Sequence, residues 1–253
     1  MTMTALSKPR QPRTPALPRD TAMRLAVTEY QRFAEMLRTL SPEDWTRPTE
    51  CAGWDVRAMA AHALGMVEMT ATIRENNRQL RLARRRSEVF IDALTALQVE
   101  ERADMTPAQI TGRFASRAPK AARARRRAPG FIRRRAMPDL QKVGGRDEAW
   151  TIGYLVDVIL TRDPWMHRMD IARATGTDVV LTGGHDGVLV ADVVAEWAAR
   201  HGQPFTLHLT GPAGGTWASG DGGPTTETDA VEFCRILSGR GRGDGLLTIP
   251  VPF

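Results

Sequence analysis

The sequence predicts an α-helical bundle followed by a small α+β domain. Three observations carry this reading. Apolar residues recur at three-and-four spacing, punctuated by caps and proline stops, as far as Gly176. Beyond that point PFTLHLTG alternates strictly, with Phe205, Leu207 and Leu209 facing in and Thr206, His208 and Thr210 facing out. Finally, Asp163 and His167 stand four apart in RDPWMHRMDIARATG, one helical face, and His62 sits in a second helix-like segment, GWDVRAMAAHALG.

Asp20 is positioned to cap a first helix carrying Met23, Val27, Tyr30, Phe33, Ala34 and Leu37. That helix should stop before Ser41-Pro42, because a residue preceding proline disfavours the helical region. SPEDWTRPTECAGWD reads as a turn-rich connection anchored by Trp45 and Trp54. Asp55 then caps a long helix through His62, Met66 and Met69, continuing towards Leu82. Phe90, Ile91, Leu94 and Leu97 mark a third helix, and Thr106-Pro107 opens a fourth, with threonine as cap and proline at the first helical position. A further helix is expected from about Asp147, burying Trp150, Tyr154, Leu155, Val158 and Ile159 and reaching Asp163 and His167. A four-helix bundle is the economical packing of this part. GVLVADVVAEWAARHG then reads as an amphipathic helix closed by Gly202, PFTLHLTG and GGTWASG as paired strands, and DAVEFCRILSG as a helix capped by Thr228 or Asp229. LLTIPVPF is expected as a terminal or edge strand, given Pro250 and Pro252. The expected division is a disordered basic tail at 1–19, the helical bundle at 20–176 and the α+β domain at 177–253.

Composition excludes several classes. A charged fraction of 25% with 42% hydrophobic residues is that of a globular chain, and no apolar run approaches the roughly 20 residues that span a bilayer. The proline-punctuated N-terminus lacks the apolar core of a secretory signal. Two cysteines far apart make no disulfide framework, so the expected compartment is the cytoplasm. Between Arg113 and Arg146 lie twelve Lys/Arg and one acidic residue, Asp139, a local balance of +11 in a chain of net +6, so the remainder carries −5. The basicity is thus local, and a solvated face is expected there rather than a specific nucleic-acid surface, since no RNA-binding aromatic motif or helix-turn-helix accompanies it. On that reading Arg125, Arg126 and Arg127 are all replaceable without disturbing an apolar stripe.

Two histidines and one carboxylate with an open fourth position form a catalytic rather than a structural zinc arrangement, which would need more cysteine than Cys51 and Cys234 offer. The run W-x-x-P-T-x-C-x-G-W-D-V-R-x-x-x-x-H, from Trp45 to His62, resembles the mycothiol-dependent maleylpyruvate isomerase family, and TRDPWMHRMDIARATG resembles that family's second metal-binding segment. EFCRILSGRGRGDGLLTIPVPF looks like its C-terminal domain, itself similar to sterol-carrier-protein folds. The resemblance covers about residues 20 to 253 and implies a DinB-like helical bundle. It implies a divalent metal, usually zinc, with His62, Asp163 and His167 as ligands and mycothiol as cofactor. The characterised pattern has Glu where this chain has Asp163, so the resemblance supports metal binding more firmly than maleylpyruvate as substrate.

Other residues carry simpler expectations. Asp163 precedes Pro164 and is equally placed to cap a local helix restart. Asp170 is expected to orient an imidazole N–H rather than to ligate. Arg168 reads as an ion-pair partner inside the bundle. Arg235 either reaches across to an anionic cofactor or is an exposed helical residue. His185, His201 and His208 are expected at the surface, Cys51 as an inert thiol, and the tryptophans as core. The functional expectation is a metal- and mycothiol-dependent isomerase or thiol S-transferase acting on a small electrophile, because a cation lowers the pKa of a coordinated thiol. The alternatives are a hydrolase that activates water on the same ligands, and a noncatalytic bundle binding nucleic acid or another partner. The absence of G-x-S-x-G, P-loop and G-x-G-x-x-G motifs argues against serine-hydrolase, NTPase and dinucleotide readings.

Overall fold

Four helices do form the bundle: α1 (Arg19–Thr39), α2 (Val56–Ala71), α5 (Pro107–Arg127) and α8 (Leu160–Thr175), in a computed structural model that describes residues 11–86 and 90–253. Their shared core holds Phe33, Leu37, Met59, Leu64, Ile110, Phe114 and Ile171, with Phe33 stacked on Phe114 at 4.9 Å between ring centroids. Asp55 caps α2 by accepting from the Ala58 N–H, and Thr106 with Gln109 completes a capping box at α5. The cap expected of Asp20 does not form. The helix begins two residues earlier than that cap would place it, at Arg19 after Pro18, and Asp20 lies in its first turn.

The long second helix is broken. Thr72 is extended (φ −147°, ψ 142°) and its hydroxyl accepts from the Glu75 N–H, starting α3 (Ile73–Ala83) in a new direction. With α4 (Phe90–Glu100) it forms a hairpin against the outer face of α2. After α5 come the short α6 (Gly130–Arg133) and a β-hairpin, β1 (Gln141–Val143) paired antiparallel with β2 (Arg146–Glu148). This hairpin occupies the start expected for the last bundle helix. Helical structure resumes only at α7 (Ile152–Tyr154), capped by Thr151, and passes through a π-helical turn (Leu155–Ile159) into α8.

The π turn and Pro164 leave main-chain carbonyls of this helix without their usual donors. Arg125 supplies them. From inside the bundle its Nε donates to the Val156 carbonyl at 2.8 Å and its Nη1 to the Leu160 carbonyl at 2.9 Å. The guanidinium also bonds the hydroxyls of Tyr30 and Thr161 and is 1% exposed. The solvated-face expectation therefore fails at Arg125, although Arg126 and Arg127 are exposed. Arg113 is likewise committed to Glu68 and Arg133 to Asp157.

The remaining chain forms α9 (Val188–His201), β3 (Phe205–Thr210), β4 (Gly215–Ser219), β5 (Thr225–Asp229) and α10 (Ala230–Leu237). The sheet order is β4-β3-β5, antiparallel between β3 and β4 and parallel between β3 and β5. Phe205, Leu207 and Leu209 pack against Trp197 and Phe233, as the alternation predicts, and Asp229 caps α10. Two expectations are corrected. The third strand is TTETD, and LLTIPVPF is instead a 3-10 turn (Gly245–Thr248) with an irregular end whose Val251 plugs the core. Trp165, Met166 and Met169 of α8 join this second core, so the bundle and the sheet region share apolar contacts.

The N-terminal tail also departs from expectation where it is described. Arg13 pairs with the main chain beside Trp150, its N–H donating to the Ala149 carbonyl at 2.8 Å. Residues 1–10 of that expected tail lie outside the described residues. Among the described residues no helix is long and apolar enough to cross a membrane.

Candidate metal centre

His62 on α2 and Asp163 and His167 on α8 converge across the bundle interior. Asp163 does not cap a restart: α8 runs through Pro164, so the i,i+4 spacing places Asp163 and His167 one turn apart on one face. Asp163 Oδ1 lies 3.6 Å from His62 Nε2 and 3.4 Å from His167 Nε2. Donors bound to one ion at about 2.1 Å in a tetrahedral arrangement stand about 3.4 Å apart. The two edges through Asp163 therefore already have the size a tetrahedral zinc site requires. All three donor atoms fall within 4.8 Å of one another.

Both imidazoles present the correct nitrogen. His167 Nδ1 is 3.2 Å from Asp170 Oδ2, and His62 Nδ1 is 2.8 Å from Gln98 Oε1. An acceptor at Nδ1 holds a proton there, so in the neutral ring the lone pair is on Nε2, the nitrogen that faces Asp163. Burial alone would raise the Asp163 carboxyl, but the His167 and His62 rings outweigh it and hold it well below the usual range. Burial likewise works to lower His167, and Asp163 with Asp170 carries it well above its ordinary value. The carboxylate therefore stays ionised beside a charged His167, and a cation bound there would take the place of the proton on His167 Nε2.

The surroundings come from three parts of the chain. The Trp54 ring stands 5.1 Å from that of His62 and 6.1 Å from that of His167, making it a wall of the site rather than simply core. Arg240, in the loop after α10, grips Asp170 with both prongs at 2.7 and 2.8 Å. Its Nη2 also lies 3.7 Å from Cys51 Sγ. Asp170 orients His167 as expected, while the arginine behind it was not singled out in the sequence; the basic, glycine-rich run GRGRG after α10 was the only signal.

Arg235 does reach across to the bundle, yet it meets no open site. It pairs with Glu50 at 2.5 Å and with Glu232, both carboxylates of the chain itself. Its observed role is to tie α10 to the loop that carries Cys51 and Trp54. Arg168 is bound to Glu29 and Asp186 inside the bundle, as expected. His185 is corrected from surface to interior, where its Nε2 lies 2.9 Å from Glu29 Oε2.

Cys51 is half-buried beside His167 and Asp170, whereas Cys234 is fully buried and burial pushes its thiol up. Ellman titration of the native, metal-free protein is expected to count one reactive thiol, lost in Cys51→Ala, with the second released only on unfolding. Two fast thiols in the native state would contradict the packing around Cys234.

A sequence profile described as the Mycothiol maleylpyruvate isomerase N-terminal domain matches residues 26–172, which include all three converging side chains. No curated protein matches the chain. Among solved structures it is similar to the crystal structure of the mycothiol-dependent maleylpyruvate isomerase, with TM-score 0.56 and 16% identity over 90% of this chain and 92% of that one. A histidine-to-alanine mutant of the same enzyme gives TM-score 0.55 at 15% identity, covering 89% and 90%.

Proposed function

This chain belongs to the family of the mycothiol maleylpyruvate isomerase N-terminal domain, and on that footing we propose that it is a metal- and thiol-dependent enzyme acting on a small electrophile by isomerisation or S-transfer. The observation that carries the proposal is the convergence of two imidazole Nε2 atoms and one ionised carboxylate at zinc-site spacing. His62, Asp163 and His167 would hold the cation, which supplies Lewis acidity favouring the thiolate of a low-molecular-weight thiol such as mycothiol. Asp163 contributes the neutralising charge; although one methylene shorter than Glu, it stands within 3.6 Å of both imidazoles. Asp170, anchored by Arg240, keeps the His167 ring in register, and the Trp54 ring stands beside both imidazoles.

Within this reading residues 20–176 carry the ligands and residues 177–253 contribute Arg240. The unpaired cysteines fit a cytoplasmic setting, and a soluble thiol and a small molecule are the partners. Zinc-loaded protein is expected to turn over a cis-enone acid of the maleylpyruvate type only when mycothiol is present. Recovery of the thiol unchanged identifies isomerisation, and its retention on the product identifies transfer. Thiol-independent hydrolysis of an ester or amide would instead assign the ligands to water activation.

A further inference from the structure

Behind His62 lies a buried chain of amides that terminates on α3. Gln79, fully buried, places its Nε2 3.2 Å from the Gly65 carbonyl and 2.9 Å from Glu75 Oε1. Both partners only accept, so this end of the Gln79 amide must be the NH2 group. Its Oε1 therefore faces Gln98, whose Nε2 donates to it at 2.9 Å. That fixes the Gln98 amide in turn, leaving its Oε1 as the group 2.8 Å from His62 Nδ1. An oxygen acceptor there requires an N–H at Nδ1, so in the neutral ring the lone pair is left on Nε2. Each link is forced by the one before it. At the far end, Arg78 grips Glu75 at 2.6 Å and fixes the anchor.

A second, independent observation marks the same contact. Gly65 lies one turn beyond His62 in the interior of α2, where a glycine costs about 1 kcal/mol relative to alanine. A Cβ at position 65 would stand 2.5 Å from Gln98 Cγ and 2.6 Å from its Cβ. The glycine is what admits Gln98 to the space beside His62. Arg102 holds α4 at this depth by donating to the Gln98 carbonyl at 2.8 Å.

We propose that Gln98 is the positioning residue of His62, and that the Gln79–Gln98 chain, anchored at Glu75 and the Gly65 carbonyl, sets which ring nitrogen of His62 carries the proton. The two imidazoles of the centre are then oriented by different means: His167 by a carboxylate locked to Arg240, His62 by a neutral amide that adds no charge. The α3–α4 hairpin acquires a role, since it delivers both glutamines to the rear of the site.

The inference rests on the metal-ligand reading of His62, but its test is made in metal-free protein. Long-range proton–nitrogen correlation spectra of 15N-histidine protein distinguish the two ring tautomers. Wild type is expected to show His62 protonated on Nδ1. Gln98→Met should shift the population towards the Nε2–H form and lower zinc affinity by about 10- to 100-fold, whereas Gln98→Glu, which still accepts, should keep Nδ1–H. Gln79→Met should act in the same direction more weakly, because the Gln98 amide becomes free to turn over. An unchanged His62 tautomer in a cooperatively folded Gln98→Met protein overturns the proposal; if that variant does not fold, an unchanged tautomer in Gln79→Met does so. Wild type with the expected tautomer but no zinc affinity would contradict the metal reading and leave the amide chain standing.

Discussion

Replacing Arg125 with methionine is expected to destabilise the protein by about 2–5 kcal/mol, each orphaned main-chain acceptor costing about 1–3 kcal/mol. The guanidinium is the donor for Val156 and Leu160, carbonyls of a helix interrupted by a π turn and Pro164, and water has no path to replace it at 1% exposure. Methionine fills much of the volume, so the loss reports the hydrogen bonds rather than a cavity. The paired replacement Arg126→Gln and Arg127→Gln should change stability by no more than about 0.5 kcal/mol, because both side chains are exposed. Urea unfolding followed by circular dichroism separates the two outcomes. A loss below about 1 kcal/mol for Arg125→Met would show that the α8 carbonyls do not depend on it. Because α8 carries Asp163 and His167, zinc affinity should fall with stability in this variant.

Local signals in the sequence were legible wherever a side chain acts on its own helix end or sheet face. Asp55, Thr106 and Asp229 cap as their positions suggest, and Phe205, Leu207 and Leu209 alternate into the core. The break at Thr72 was also written locally, as a threonine followed three residues later by Glu75, but the apolar pattern ran through it and masked it. TTETD escaped because an edge strand with little burial has no apolar alternation, and LLTIPVPF misled because Pro250 and Pro252 remove donors a ladder needs. In the site, the spacing of Asp163 and His167 and the family resemblance located the triad. Gln98 and Arg240 could not be read in the same way, since each acts across tens of residues of chain and neither stands in a spacing that a helix or strand imposes; Trp54, eight residues before His62, lay in the quoted motif but gave no sign that it lines the site. Arg125 is the sharpest case: it is hidden in a basic run whose other members are exposed, and only the tertiary position of Pro164 explains it.

The other large effect expected is on metal binding. His167→Ala removes a lone pair from the centre and exposes Asp163 to an unbalanced burial, and zinc affinity should drop by more than about 100-fold, beyond what loss of an outer hydrogen-bond partner costs. Asp163→Asn should weaken the metal more than the fold, because it deletes the neutralising charge while keeping the shape. Asp163→Glu should retain the metal, because it keeps the neutralising charge on the same helical face. In wild type, zinc at about 100 times its dissociation constant should add about 2.7 kcal/mol of stability. That increment and its rise in melting temperature should vanish in His167→Ala. A variant that still melts higher in zinc would place the cation elsewhere, for example on Cys51 and Asp170, which also lie within ligand reach of one another.

Calorimetric titration of zinc into metal-free protein, wild type beside His62→Ala, Asp163→Ala and His167→Ala, tests the shared role of the three residues most directly. The structure predicts one ion per wild-type chain and no comparable binding in any of the three variants. Equal stoichiometry and affinity in all four proteins, with their folds intact, would contradict it.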